Sequence, residues 1–383
     1  MKILAIDDQQ LILLSLEKQL IAQGYEVMLA GTGAAGIQAF DAFQPDLVIL
    51  DINMPDISGL EVVKHIRIDR KSSTPIMVMS GNTDEKVIIN GFNLGIDDYV
   101  KKPLSLNELG ARVRRMLGTS TKPTLIKGEA RMLQKRCVGV VIPCYNEAER
   151  LSTEVFREFV RKHLGYHLCF VNDGSTDNTL QVLEELRKGH EGTISVYNCA
   201  KNGGKAEAVR QGILHLAKDT QLDCIGYLDA DLSTDLRDFD QLVDVLEASD
   251  YKIVSGSRIN RMGADITKES ARKIISLTIN LIIRKILGMP FKDTQCGAKI
   301  MDREIAENMF RKRFITRWLF DVEIFMRMRK FYGKEKAVGL ICEKPLNRWI
   351  HADGSKLSMK DSVKILGQLV KIAVHYKGQS MHP

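Results

Sequence analysis

Residues 225–234 read IGYLDADLST. Ile225 to Leu228 have the unbroken apolar character of a buried strand, and two aspartates one residue apart follow it. Side chains on an extended chain alternate faces, so Asp229 and Asp231 point the same way. Side by side their charges repel. A cation between them, or free access to water, relieves that repulsion. Strand-like runs surround this one: VGVVIPCYN, YHLCFVND, ISVYNCA and YKIVSGSR, spaced through residues 138–258 with amphipathic segments between. Alternating β and α patterns of this kind predict a doubly wound α/β domain. After about residue 265 the chain turns helical and basic.

A separate α/β unit precedes it. Five strand patterns, KILAID, YEVMLA, LVILD, PIMVMS and DYVKK, alternate with amphipathic segments over residues 1–118. The stretch GTSTKPTLIKG, 118–128, breaks the pattern and reads as a linker. The expected division is 1–119, a linker at 120–135, and a second domain at 136–383. The 383 residues suit two or three domains, and 44% hydrophobic content suffices for packed cores. Seven scattered cysteines without a CxxC pair suggest buried reduced thiols and a reducing compartment. The apolar part of MKILAIDDQQ is too short for a signal peptide, and no apolar run reaches membrane-span length. A cytoplasmic protein is expected, with peripheral attachment to the inner face of the membrane as an option. Residues 1–120 carry 12 Lys/Arg and 15 Asp/Glu, whereas the remainder carries 43 and 33. The basic excess of the second half suits nucleic acid, an anionic membrane or phosphate-bearing substrates.

In the first unit, acidic residues gather at strand ends: Asp7 and Asp8 after the first strand, Asp51 after the third. Ser80 ends the fourth and Lys102 follows the fifth. Strand carboxyl ends line the ligand crevice of an open sheet, so these groups should converge. Carboxylate oxygens of that kind suit Mg²⁺. The acid pair Asp7-Asp8, LDINMPDISG, SGN and DDYVKKP together resemble the response-regulator receiver domain. The resemblance implies a flavodoxin-like (βα)5 fold in which Asp51 accepts a phosphoryl group from a sensor histidine kinase. Mg²⁺ would sit on Asp7, Asp8, Asp51 and the backbone near Asn53. Lys102 would counter the new charge, Ser80 would hydrogen-bond it, and Tyr99 would change rotamer to report it.

The second unit holds further motifs. VVIPCYNEAERL places Glu147 after a strand, and FVNDGSTDNT places Asp173 likewise. NGGKAEAVRQGI sets Gly203, Gly204 and Lys205 at a helix start, a ready anion site. SGSR places Arg258 after another strand. In this order the motifs resemble family 2 glycosyltransferases of the GT-A fold over about residues 137–260. The resemblance implies that Pro143, Tyr145, Glu147 and Asp173 contact the nucleoside of a UDP-sugar. Lys205, Ala230, Asp229 and Asp231 belong to the same nucleotide-sugar site, the two aspartates holding Mg²⁺ or Mn²⁺ on the diphosphate. DTQCGAKIM, RWLFDVEIF and NRWIHADGSKLS resemble the dolichyl-phosphate glucosyltransferase and mannosyltransferase group, whose acceptor is a polyprenyl phosphate. Arg258, Arg317, Ser355 and Lys356 are the candidates to hold that phosphate. Asp321 stands where many family 2 enzymes carry a base, and an orienting or ion-pairing role is equally open. Glu323 is its alternative. Asp321 and Glu323 would share a face on a strand but not on a helix. Ser233 departs from the Gln that the mannosyl branch often has, which puts a third metal contact in doubt.

Two segments, 272–288 and 359–375, read as amphipathic helices suited either to a headgroup region or to an ordinary core face. In the second, Val363, Leu366, Val370 and Ala373 form the apolar stripe, with Lys364 and Lys371 off it. The expected protein is a phosphorylation-regulated inverting transferase, with glucose as the expected sugar and dimerisation as one form of the switch. Alternatives are a polysaccharide or protein acceptor without lipid, or a non-catalytic sensor of nucleotide sugar. DNA binding is disfavoured, because no helix-turn-helix pattern follows the first unit.

Overall fold

The computed structural model describes residues 1–81, 85–118, 132–258, 265–266, 281–349 and 359–377. Ser355 and Lys356, most of the 120–135 linker and the first half of the 272–288 segment lie outside the described residues. Two compact units are present. The first comprises Met1–Cys137 with Glu158–Tyr166, and the second Val138–Arg157 with His167–Pro383.

The first unit runs β1 (Lys2–Ile6), α1 (Gln10–Ala22), β2 (Glu26–Ala30), α2 (Gly33–Phe43), β3 (Leu47–Asp51), α3 (Gly59–Lys64), a π-helical turn (His65–Asp69), β4 (Ile76–Ser80), α4 (Glu85–Leu94), β5 (Asp98–Lys101), β6 (Leu104–Ser105) and α5 (Leu106–Met116). Strands β1 to β5 form one parallel sheet in the order β2-β1-β3-β4-β5. The period of two sorts the strand residues into two cores. Ile3, Ala5, Leu47, Ile49, Met77 and Met79 meet α1 and α5 on one face. Leu4, Ile6, Val48, Leu50, Ile76 and Val78 pack with Val62, Val63 and Ile66 on the other. A sheet covered on both faces explains why its strands are near-continuous apolar runs. Local caps agree with this: Thr32 accepts from the Ala35 amide at the start of α2, and Ser105 from Asn107 at the start of α5.

The remaining elements are β7 (Met132–Cys144), α6 (Thr153–Lys162), β8 (His163–Asn172), α7 (Thr179–Arg187), β9 (Ile194–Asn198), α8 (Lys205–Leu216), β10 (Cys224–Leu228), α9 (Leu236–Glu247), β11 (Ile253–Ser257), β12 (Asp265–Ile266), α10 (281–287), β13 (Ala298–Asp302), α11 (Arg303–Phe310), α12 (Phe320–Tyr332), α13 (Lys334–Gly339), β14 (Ile341–Pro345), β15 (Arg348–Trp349) and α14 (Met359–Lys377). The principal sheet follows β14-β11-β13-β10-β7-β8-β9. The expected linker ends early, since Met132–Arg136 already belong to β7. Met132 and Leu133 pair antiparallel with Ser105 and Leu104, and Leu133 joins the first unit's core.

Strand β13 also corrects the expectation that the chain is helical beyond residue 265. It runs antiparallel to both β10 and β11, which makes the sheet mixed. Because β10 is parallel to β7, and β8 to β9, the chain leaves β7, β8, β10 and β11 on one edge of the sheet. Tyr145, Asp173, Asp229 and Arg258 are the first residues beyond those four strands.

RWLFDVEIF enters a helix, so Asp321 and Glu323 do not share a face. Among the described side chains of α14 the buried ones are Leu369 and Ile372, whereas Leu366 and Val370 of the expected stripe are exposed, as is Val374. Val363 and Lys364 are side chains outside the described set. In the other amphipathic segment Ile283 and Leu287 are buried, while Leu281, Arg284 and Lys285 face solvent. Among the described residues no helix is long and apolar enough to cross a membrane.

Candidate functional sites

In the first unit the strand ends do converge. Lys102 Nζ donates to Asp7 Oδ2 at 2.6 Å and to Asp51 Oδ2 at 2.9 Å, with all three residues buried. Carboxylate oxygens of Asp7, Asp8 and Asp51 lie within 4.8 Å of one another. This is a hard-oxygen donor set of the kind Mg²⁺ takes. Burial pushes the Asp7 carboxyl up to about 6, with Lys102 pulling it down and the Asp51 charge pushing it further up. Burial alone would lower Lys102, but the two carboxylates outweigh it and hold the ammonium above its ordinary value. Asp51 Oδ1 accepts from the Asn53 amide at 3.1 Å, and Asn53 Nδ2 lies 3.5 Å from Ser80 Oγ. Tyr99 hydrogen-bonds Ser80, and its hydroxyl is held above its ordinary value by burial. A chain of polar contacts therefore links Asp51 through Asn53 and Ser80 to Tyr99.

The second site lies on the edge reached by β7, β8, β10 and β11. The loops after β7 and β8 are sewn together: Asn146 N donates to Ser175 Oγ, Thr176 N to Asn146 Oδ1, Glu147 N to Thr179 Oγ1, and Ala148 N to Asp177 Oδ2. The stitching presents Tyr145 half exposed, a flat ring beside polar loops. It also partly buries Glu147, whose Oε1 pairs with Arg150 at 2.8 Å while the buried Oε2 has no hydrogen-bond partner. Burial raises the Glu147 carboxyl, Arg150 lowers it, and Asp231 raises it again. Pro143 is partly buried at the end of β7.

The expected anion site at the start of α8 is filled from within. Gly203 N and Gly204 N donate to Asp173 at 2.8 and 2.9 Å. Gly204 has φ 84°, the left-handed region that only glycine adopts at little cost, and this turns its amide towards Asp173. Burial raises the Asp173 carboxyl, and these two amides oppose it. Lys205 reaches Asp229 Oδ1 at 2.5 Å. Burial would lower its ammonium, but Asp229, Asp321 and Asp231 hold it above its ordinary value. Arg317 joins the site through Ala206 N, which donates to its carbonyl, and its side chain packs on Gly204.

Asp231 Oδ1 accepts from Ser233 N at 2.9 Å, and Leu232 between them has φ 52°. A left-handed conformation costs a side-chain-bearing residue about 1–2 kcal/mol, and such strain collects at functional sites. Ala230 is buried between the two acids. Asp229 rests on the chain before β13, its amide donating to Gly297 O at 3.1 Å. A Cβ built on Gly297 would lie 2.0 Å from Asp229 Oδ2. Gly297→Ala is therefore expected to displace Asp229 and cut sugar transfer about 10²-fold, with release of nucleoside diphosphate as the measurement.

Arg258, the expected phosphate contact, is held in place by an acidic side chain. Its Nε and one terminal nitrogen clamp Asp293 at 2.7 and 2.8 Å, and its amide donates to the same carboxylate. Two of five guanidinium N–H groups are thus committed to a residue that strand-end reasoning passed over. Asp321 and Glu323 are engaged as well. Tyr227 and Lys299 donate to Asp321 Oδ1. Glu323 accepts from the Ile315 and Thr316 amides and from Thr316 Oγ1 at 2.8–3.0 Å.

Comparison with known proteins matches both units. A response regulator receiver domain model covers residues 3–114, and a glycosyl transferase family 2 model covers residues 139–310. The dolichyl-phosphate β-glucosyltransferase of Dictyostelium discoideum is 31% identical over 254 residues, 62% of this chain and 74% of that protein. The chain belongs to glycosyl transferase family 2. It carries a receiver domain ahead of the transferase region. The Saccharomyces cerevisiae dolichyl-phosphate β-glucosyltransferase is 29% identical over 298 residues, 72% of this chain and 83% of that protein. On the receiver side, the transcriptional regulatory protein KdpE of Mycobacterium tuberculosis is 38% identical over 119 residues, 31% of this chain and 52% of that protein. In this family 2 transferase the strand-end aspartates, the glycine-lysine helix start and the DTQCG loop occupy one edge of one sheet.

Proposed function

We propose that the chain transfers glucose from UDP-glucose to a polyprenyl phosphate with inversion, under control of Asp51 phosphorylation by a histidine kinase. The observation that carries this reading is the state of the two acids in RWLFDVEIF. Both are already engaged within the protein: Asp321 Oδ1 takes Lys299 and Tyr227, and both Glu323 oxygens take the 315–316 loop. An alcohol acceptor needs a base. A phosphate monoester, with a second pKa of about 6, is already an anion at neutral pH and needs positioning instead. The similarity to dolichyl-phosphate glucosyltransferases points the same way.

In this mechanism Tyr145 and Asp173 orient the nucleoside, the ring by its face and the carboxylate by accepting a base N–H. Asp229 and Asp231 are hard oxygen donors of the kind a divalent cation takes, and the Asp231 charge reaches Glu147, whose Oε2 has no hydrogen-bond partner. Mg²⁺ or Mn²⁺ bound there supplies positive charge for the departing diphosphate. Lys205 sits against Asp229 and adds a second cation on that side. Arg317 is exposed, and on this reading it meets the acceptor phosphate. Leu366, Val370 and Val374 recur about one turn apart on the outside of α14, near exposed Lys371. Such a stripe suits attachment at the surface of an anionic bilayer, where the acceptor resides.

The test is transfer of labelled glucose to short polyprenyl phosphates and to the matching neutral polyprenols. Label is expected on the phosphates alone. Equal labelling of both would mean that a base operates and would overturn the acceptor assignment.

A further inference from the structure

Lys299 lies in β13 with its side chain wholly buried. A buried ammonium is tolerated only where anions and hydrogen-bond acceptors surround it. Its Nζ donates to Asp321 Oδ1 at 2.6 Å, to Cys296 O at 2.7 Å and to Thr294 O at 3.1 Å, which uses all three of its N–H groups. Tyr227 is its register partner across β10 and β13, and the Tyr227 hydroxyl donates to the same Asp321 oxygen. Burial, then the Asp321 charge, hold Tyr227 well above its ordinary value, so it remains a donor.

These contacts bear on the loop at 293–297. At one end Arg258 clamps Asp293, and at the other Gly297 O receives the Asp229 amide. Between those ends Lys299 holds the carbonyls of Thr294 and Cys296. The loop cannot shift without moving Gly297, and Gly297 packs directly on the Asp229 carboxylate. Asp321 is the carboxylate that faces the buried Lys299 ammonium, and the oxygen it offers is shared with Tyr227.

We infer that Lys299 is a positioning residue of the transfer site: its ammonium fixes the 294–297 loop on which Asp229 rests, and Asp321 is its counter-ion rather than a general base. The inference rests on the transferase reading and adds to it a residue that touches neither donor nor acceptor. Removing support of this kind costs about 10- to 100-fold in ligand or metal affinity.

The experiment uses the full chain, UDP with Mn²⁺ as the binding probe, and Lys299→Met alone or with Asp321→Asn. Lys299→Met leaves a buried carboxylate without its cation and should lower Tm by about 10 °C. The double variant removes both charges, while the side-chain amide oxygen introduced by Asp321→Asn still accepts from Tyr227, so most of that Tm should return. UDP affinity should nevertheless stay about 10- to 100-fold down, and donor KM should rise while acceptor KM holds. Recovery of Tm together with wild-type UDP affinity and donor KM would show a purely structural network and overturn the positioning role, leaving the transferase reading in place. Failure of the wild-type chain to bind UDP with Mn²⁺ would overturn both.

Discussion

Asp229→Asn and Asp231→Asn are each expected to reduce sugar transfer by about 10²–10³-fold, and the pair together to bring it to background. Both substitutions keep the shape of the side chain. Asp231 is exposed and the Asp229 side chain is about a third exposed, at 32%, so neither carboxylate is part of a packed core. Fold and Tm should therefore survive, and the loss should fall on the chemistry. The amide oxygen that Asp231→Asn leaves in place of a carboxylate oxygen can still accept from Ser233 N, so the turn through Leu232 should persist in that variant. What disappears is the negative charge that a divalent cation requires. UDP binding should accordingly lose its dependence on Mn²⁺, measured by calorimetric titration with and without the metal. Lys205 would lose its anion and become available to the diphosphate, so a weak, metal-independent UDP affinity is expected to remain. Turnover that is unchanged in the double variant would remove the transferase assignment altogether.

Much of this site was legible in the residues because strand ends announce themselves. Apolar runs that stop at Asp173, Asp229 or Arg258 place those side chains at one edge of a sheet with no knowledge of its strand order. The receiver cluster follows from the same logic, and its three carboxylates and lysine do meet. Other features were hidden for physical reasons. Strand β13 reads AKIMD, and a lysine as the second of its five residues argues against a buried strand. Only the neutralising Asp321, 22 residues further on, makes that lysine tolerable. Whether Asp321 and Glu323 shared a face depended on helix against strand, which the short apolar run around them leaves ambiguous. The commitment of Arg258 to Asp293 is a contact across 35 residues, invisible to spacing. In α14 the apolar positions are spread widely enough that two stripes exist. Packing selected Leu369 and Ile372 for the inside and left Leu366, Val370 and Val374 on the outside.

Incubation with a small phosphodonor and Mg²⁺ is expected to place one hydroxylamine-labile phosphoryl group on Asp51, and to change the rate of sugar transfer by about 5- to 150-fold. The expectation follows from how the receiver charges are balanced. Lys102 is shared between Asp7 and Asp51, and burial already pushes Asp7 up to about 6. A phosphoryl group on Asp51 adds charge and three strong acceptors at that point. It would draw Lys102 towards itself and compete for Ser80, which Tyr99 now engages. The Asn53, Ser80 and Tyr99 contacts then have a second arrangement available, which is what a two-state switch needs. Asp51→Asn should take up no phosphate and show one transfer rate with or without phosphodonor. Lys102→Met should still be labelled but should lose most of the rate change, because the cation that moves is gone. Transfer rates that are identical for wild type and Asp51→Asn under both conditions would disconnect the receiver from the transferase activity.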